Sequence, residues 1–295
     1  MRLPTRILSA IWLNITALVA FVFFRVLNHV EVQGREHIPS RNRVIVLANH
    51  VSMIDSFAIG VAAYYPRAMV RPSLFPWHPA ALENFFQGRL LAVLSTLWRC
   101  IPVRRGERDF GALTAMTERL QEGTMLLFPE GTRTRSGRLG MGRPGVGKLL
   151  HDVQPIVIPA AHTGMEEILP VGARFPRIGK RARIAFGAPI DLSEYYELPA
   201  GKDTSQLIVN RVMAEIAVLR GALLTPSGAG SGATAPHAAA SPVATSLTAT
   251  VRGARRNAPL TLPTSPAKEY PNTESAAPNL SGSPNHGIAG RSSDR

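Results

Sequence analysis

The sequence predicts an α/β domain over residues 31–224, with an N-terminal membrane-associating helix at 1–30 and a disordered Ala/Ser/Pro/Gly-rich tail at 225–295. Three observations carry that division. Short continuous apolar runs, such as Val44–Ala48 and Thr124–Phe128, alternate with longer stretches of helical periodicity, the pattern of strands buried on both faces by helices. An uncharged run from Ile7 to Phe24 lies between Arg6 and Arg25. From Thr225 onward the only aromatic is Tyr270, and so little apolar surface cannot offset the entropy of ordering the segment.

Taken in order, residues 7–24 would rise about 27 Å as a helix, close to the thickness of a bilayer core. No small-residue cleavage site follows at Phe23–Leu27, so an anchor that spans or dips into one leaflet fits better than a removed leader. Glu31–Ser40 reads as a polar connection. Val44–Ala48 is a buried strand, after which Ser52 is placed to cap a helix ending near Tyr64–Tyr65, before Pro66. Arg67–Arg71 reads as a short strand and Pro72–Pro79 as irregular chain. Ala80–Arg99 has a wide apolar face and reads as one helix. Asp109–Glu122 is a clearer helix, with Phe110, Leu113, Met116 and Leu120 in phase and Gly123 at its end. The strand carrying Phe128 follows, and then a glycine-rich loop holding Gly140, Gly142, Gly145 and Gly147. That loop lacks the Walker order of glycines ending in Lys-Ser/Thr, since Lys148 precedes Leu149. Strands at Pro155–Ala161 and Arg183–Phe186 and a helix at Asp203–Leu224 complete the domain, which contains no internal repeat.

The formal charge is +13, and the tail, with six basic and three acidic residues, supplies only +3 of it. The basic part is therefore the folded one, which points to anionic lipid headgroups; no zinc-finger spacing, RNA-binding signature or array of base-stacking aromatics supports a nucleic-acid partner. A single cysteine, Cys100, excludes an internal disulfide and suggests a reducing compartment. Among Leu97, Trp98 and Ile101 it reads as a buried thiol rather than a nucleophile.

The chemistry concentrates where strands end. Asn49-His50-Val51-Ser52-Met53-Ile54-Asp55 places a histidine in a strand-to-helix turn and an aspartate in the first turn of the helix. On one helix five positions would set them about 140° apart. From the turn, however, Asp55 can reach one imidazole nitrogen and leave the other to take a proton. Ser52–Asp55 also matches a capping box, a structural use of the same carboxylate that is compatible with the first. Phe128-Pro129-Glu130-Gly131-Thr132-Arg133-Thr134-Arg135 leaves a second buried strand with arginines suited to holding a phosphate. His162 follows a third buried strand, with Glu166 or Glu167 as its nearest carboxylates in sequence; a structural or tuning role is expected. No metal-ligand spacing is evident.

These two runs, in this order, closely resemble the first and third signature blocks of the glycerolipid acyltransferases typified by lysophosphatidate acyltransferase. Cys100-Ile101-Pro102-Val103-Arg104-Arg105-Gly106 is similar to the family's second block and Gln154-Pro155-Ile156-Val157-Ile158-Pro159 to its fourth. Many members carry an acidic residue where Arg104 stands here. Residues from His162 through Gly179 also resemble the tafazzin branch, whose members exchange acyl chains between phospholipids. The resemblance covers residues 30 to 220. It implies a membrane-associated O-acyltransferase on the cytoplasmic face, with His50 as general base, Asp55 as its orienting partner, and no bound cofactor. Arg105, Arg133 and Arg135 would hold the acceptor's phosphate beside Gly131 and Thr132, while Glu130 would bond glycerol hydroxyls or orient the arginines. The donor would be acyl-CoA or acyl carrier protein, the acceptor lysophosphatidate and the product phosphatidate. A tafazzin-like transacylase is the alternative.

Overall fold

The computed structural model describes residues 3–104, 109–134 and 138–225. The tail whose disorder the composition predicts lies outside the described residues, as do Arg105 and Arg135. The uncharged N-terminal run folds as helix α1 (Leu3–Val22), continued by a wider turn over Phe23–Leu27. The combined segment Thr5–Leu27 is long and apolar enough to cross a membrane. It is not isolated: Leu13 and Ala17 are buried, whereas Ile7, Leu8, Ile11, Ile15 and Val19 are exposed.

β1 (His29–Gln33) follows, and the first part of the expected polar connection is thereby a strand. Its backbone pairs in parallel with β7 (below) and buries alternate side chains, which periodicity over five residues with two charged or polar ends does not reveal. β2 (Val44–Ala48) is 0% exposed at all five positions. Val44, Val46 and Ala48 face one core and Ile45 and Leu47 the other. A strand covered on both faces is the physical meaning of its unbroken apolar run.

Helix α2 (Asp55–Tyr64) begins at Asp55 with no side-chain cap; Ser52 donates its hydroxyl to the Leu169 carbonyl instead, at 2.7 Å. The strand expected over Arg67–Arg71 is instead a single helical turn, α3 (Arg67–Val70), whose Arg67 guanidinium donates back to the Ala63 carbonyl at 2.8 Å. The expected helix over Ala80–Arg99 is broken into β3 (His78–Ala81), the turn α4 (Leu82–Phe85) and helix α5 (Gly88–Leu97). Tertiary pairing overrides helical periodicity there, because β3 lies parallel to β4 (Cys100–Val103) in a two-stranded sheet. Asp109 caps α6 (Phe110–Glu122) by accepting from Ala112 N at 2.9 Å, and β5 (Thr124–Leu127) follows.

The glycine-rich stretch is in part helical. Pro144 starts α7 (Pro144–Val153), and a Cβ on Gly147 would sit 1.8 Å from the Ser205 carbonyl oxygen, so this glycine serves close helix packing rather than loop freedom. β6 (Ile156–Thr163), the turn α8 (Met165–Ile168), β7 (Arg181–Phe186), the turn α9 (Ser193–Tyr196) and helix α10 (Lys202–Leu224) complete the order. The main sheet runs β1-β7-β6-β2-β5, parallel except for the β6/β7 pair. α1 and α2 cover one face, and α6, α7 and α10 the other.

Candidate active site

In this sheet β2, β5 and β6 lie parallel and in register, so their C-terminal ends open at one edge, where crevices form in α/β folds. His50 follows β2, Glu130 follows β5 by three residues, and His162 lies at the end of β6. Sequence separations of about 80 and 110 residues collapse there to contact distance.

His50 Nδ1 lies 2.8 Å from Asp55 Oδ2. The same carboxylate oxygen accepts from the backbone amides of Val51 at 2.7 Å and Ser52 at 2.8 Å. The turn thus folds around Asp55: the capping contact to Ser52 and the imidazole contact coexist. Asp55 is fully buried, while the His50 side chain remains 18% exposed. Phe128 stacks on the His50 ring at 4.0 Å between centroids and 8° between planes, which fixes the ring's second degree of freedom.

Glu130 lies between the two regions, the His50 turn and the loop after β5. It is 4% exposed, and its two carboxylate oxygens accept from the His50 backbone amide at 3.0 Å and from Gly140 N at 2.8 Å. It therefore ties the arginine-bearing loop to the histidine turn. Thr134 N donates to the His50 carbonyl at 2.9 Å and strengthens the same tie. Gly131 adopts φ +68°, a left-handed turn beside the Arg143 side chain, and Thr132 is exposed. Arg133 lines the cleft that holds His50. Arg105 and Arg135 lie outside the described residues, so of the three phosphate-binding arginines the resemblance implies, Arg133 is the one placed.

His162 finds its carboxylate in Asp55, 3.5 Å from Nε2, and not in Glu166 or Glu167. Nε2 also lies 2.7 Å from the Asn49 carbonyl, so it carries the proton. Asn49 in turn accepts from His162 N at 2.9 Å and donates to the His162 carbonyl at 3.1 Å. This three-bond clamp joins β2 to β6 under the site. Sequence reasoning assigned Asn49 no role, because nothing local reveals which strands are neighbours.

The cleft beside His50 is walled by Phe57, Phe85, Trp98 and Phe128, and His78 and Cys100 form its floor. Burial pushes the Cys100 thiol up to about 12, so it remains a thiol near neutral pH. Phe57, His78 and Trp98 also line a neighbouring apolar groove bounded by Leu13, Ala17 and Ala20 of α1 and Val61 of α2. The His50 cleft and the apolar groove thus lie on either side of shared side chains. Among the described residues no cluster of three or more histidine, cysteine or carboxylate side chains is placed to hold a metal.

Residues 29–163 match the family model described as Acyltransferase. The chain is 26% identical over 191 residues to a protein named taffazin from Dictyostelium discoideum, covering 61% of this chain and 65% of that one. It is 30% identical over 140 residues to a 1-acyl-sn-glycerol-3-phosphate acyltransferase from Limnanthes douglasii, covering 46% and 45%. It therefore spans just under two thirds of the first relative and less than half of the second. Its fold is similar to the crystal structure of the 1-acyl-sn-glycerophosphate acyltransferase PlsC from Thermotoga maritima, with a TM-score of 0.53 at 21% identity, covering 74% of this chain and 84% of that one.

Proposed function

We propose, from the premise that the chain is an acyltransferase of the glycerolipid family, that it transfers a fatty acyl group from an acyl thioester to the free hydroxyl of lysophosphatidate, giving phosphatidate. The observation that carries this reading is the His50–Asp55 pair at 2.8 Å in a cleft that shares Phe57, His78 and Trp98 with an adjacent apolar groove. With Nδ1 engaged by Asp55, Nε2 is the nitrogen left to accept the proton of the acceptor hydroxyl. The hydroxyl oxygen attacks the thioester carbonyl carbon, and a tetrahedral oxyanion forms. The C–S bond then breaks as the imidazolium returns the proton to the departing thiolate. Asp55 holds the imidazole tautomer and stabilises its charged form. No covalent acyl-enzyme is required.

Arg133 meets the acceptor's phosphate in the same cleft, with Arg105 and Arg135 as its proposed companions. The acyl chain lies along the groove toward α1. Acyl-CoA or acyl carrier protein serves as donor, and the enzyme works at the cytoplasmic face of an anionic membrane on which α1 rests its exposed apolar side. A phosphate monoester carries close to two charges, which suits an arginine-rich loop better than the diester of an ordinary phospholipid does.

A second reading, phospholipid–lysophospholipid transacylation, is favoured by the longer match to the taffazin-named relative. Purified full-length protein decides between them. It is expected to make phosphatidate from lysophosphatidate and acyl thioester and to stay idle with phosphatidylcholine as sole donor. Equal transfer from phosphatidylcholine without thioester would move it to the second reading.

A further inference from the structure

A second depression lies at the opposite end of the sheet from His50. Gly123, immediately before β5, lines it, and Arg43, just before β2, donates its backbone amide to the Gly123 carbonyl at 2.7 Å. β2 and β5 are parallel, so four to five residues at about 3.3 Å each put about 15 Å of strand between this cavity and the His50 turn.

Its walls are arginines. Arg6 of α1, Arg71 after α3, Arg99 before β4 and Arg119 of α6 line the cavity, with Glu122, 3.9 Å from Arg119, as the one carboxylate among the described residues that line it. Trp77 organises two of the cations: the guanidinium carbon of Arg119 lies 4.8 Å and that of Arg99 5.5 Å from its ring centroid. Arg99 donates from Nη1 to the Phe75 carbonyl at 2.8 Å, but its Nε is buried with no hydrogen-bond partner among the described residues. Its backbone sits at φ +60°, where glycine is the easier residue. Burial and the nearby Arg6 push its pKa down to about 10, which still leaves it cationic near neutral pH. Four cations around one carboxylate repel one another, and an anion seated among them reverses the sign of that interaction.

We propose that this cavity is a non-catalytic seat for the phosphate of an anionic membrane glycerophospholipid, separate from the site of acyl transfer. A lipid, rather than free phosphate, fits because apolar surface begins at the rim: Val70 is 90% exposed, and Ile7 lines the mouth. From Ile7 the exposed side chains Leu8 and Ile11 continue along α1, and Leu90 and Val93 of α5, which packs on α1, extend the same surface. Acyl chains leaving the cavity have exposed apolar side chains to lie along. The seat sets the height and tilt of α1 against a charged leaflet. This inference rests on the reading that α1 lies against a membrane, but its charge term is separable from that reading.

The test uses the full chain with vesicles of phosphatidylcholine alone or doped with phosphatidylglycerol. Wild type is expected to prefer the doped vesicles. Arg71→Gln with Arg119→Gln should lower that preference about tenfold, leave binding to neutral vesicles intact and leave turnover of a detergent-dispersed acceptor unchanged. Lys148→Gln with Lys202→Gln removes the same charge from the surface of α7 and α10 and should change nothing; an equal loss there would overturn the site in favour of diffuse attraction. If wild type binds neither vesicle, the membrane reading falls, and thermal shift of the soluble protein decides the cavity. Dihexanoylphosphatidylglycerol raising Tm in wild type but not in the double arginine variant supports the seat. A rise with inorganic phosphate of the same size, or no rise with either, overturns it.

Discussion

His50 and His162 stand at the ends of neighbouring parallel strands and address the same carboxylate oxygen of Asp55, yet they are built for opposite purposes. His50 spends Nδ1 on Asp55 at 2.8 Å, stacks on Phe128 and keeps part of its ring open to the cleft. His162 has no exposed surface, spends Nε2 on the Asn49 carbonyl at 2.7 Å and stands 3.5 Å from Asp55. Its Nδ1 is buried without a hydrogen-bond partner among the described residues. An imidazole's role here follows from which nitrogen is spent and whether the other meets solvent, not from closeness to the acid.

The sharpest break of that comparison is to remove each ring. His50→Ala should lower kcat by at least about a thousandfold with Tm nearly unchanged, and Asp55→Asn should cost a similar or larger factor through loss of the orienting acceptor. Retention of more than a tenth of wild-type turnover by His50→Ala would end its assignment as base.

His162→Phe should do the reverse. It leaves the Asn49 carbonyl without its imidazole donor, so stability should fall by about 1–3 kcal/mol while kcat drops no more than about tenfold. Thermal unfolding and turnover measured on one preparation separate the two effects. A thousandfold loss of kcat at unchanged Tm would show that the two rings are not so different after all.

Glu130→Gln probes the tie between the two regions. The amide can still accept one backbone N–H through its oxygen but presents a donor to the other, so one of the bonds to His50 N or Gly140 N is lost. We expect destabilisation of about 1–2 kcal/mol, within the range for a buried donor left unpaired, and a several-fold rise in acceptor KM as the Arg133 loop loosens. A kcat loss as deep as that of His50→Ala, with KM unchanged, would instead place Glu130 at the reacting atoms.

How much of this was legible in the sequence follows from how local each signal is. β2 and α2 are written within Val44–Tyr64, as an apolar run and a helix end before Pro66, and the spacing of His50 and Asp55 lies inside that same window. The Asn49–His162 clamp spans 113 residues and depends on which strands are neighbours, a property of topology. Residues 80–99 mislead for the complementary reason. Their apolar positions fit a helix, but His78–Ala81 is held as a strand by Cys100–Val103, a partner that helical periodicity cannot report. Glu130 was visible in the sequence as a residue of the loop, but its two backbone partners, His50 N and Gly140 N, were not. A carboxylate in an arginine-rich loop looks like a ligand or an orienting group until the backbone amides that occupy it are known.

His78 extends the comparison to a third ring in the same cleft and carries the smallest effect. It lies on the cleft floor with Nε2 3.2 Å from Cys100 Sγ, and burial pushes its pKa down to about 4, from the usual value near 6.5. It is thus neutral near neutral pH, which leaves proton transfer in the proposed reaction to His50. The folded state binds fewer protons at this position than the unfolded chain between those two values, so the contribution to stability is full above about pH 6.5 and is lost as pH falls toward 4. The ceiling on that loss is about 3 kcal/mol, and partial access of the ring to the cleft lowers it. Denaturant midpoints of wild type should therefore decline between pH 6.5 and 4. His78→Gln, which does not titrate, should flatten that part of the decline while leaving kcat at pH 7 within about threefold. An unchanged decline in the variant would assign the acid sensitivity elsewhere, and a collapse of kcat would bring His78 into the chemistry beside His50.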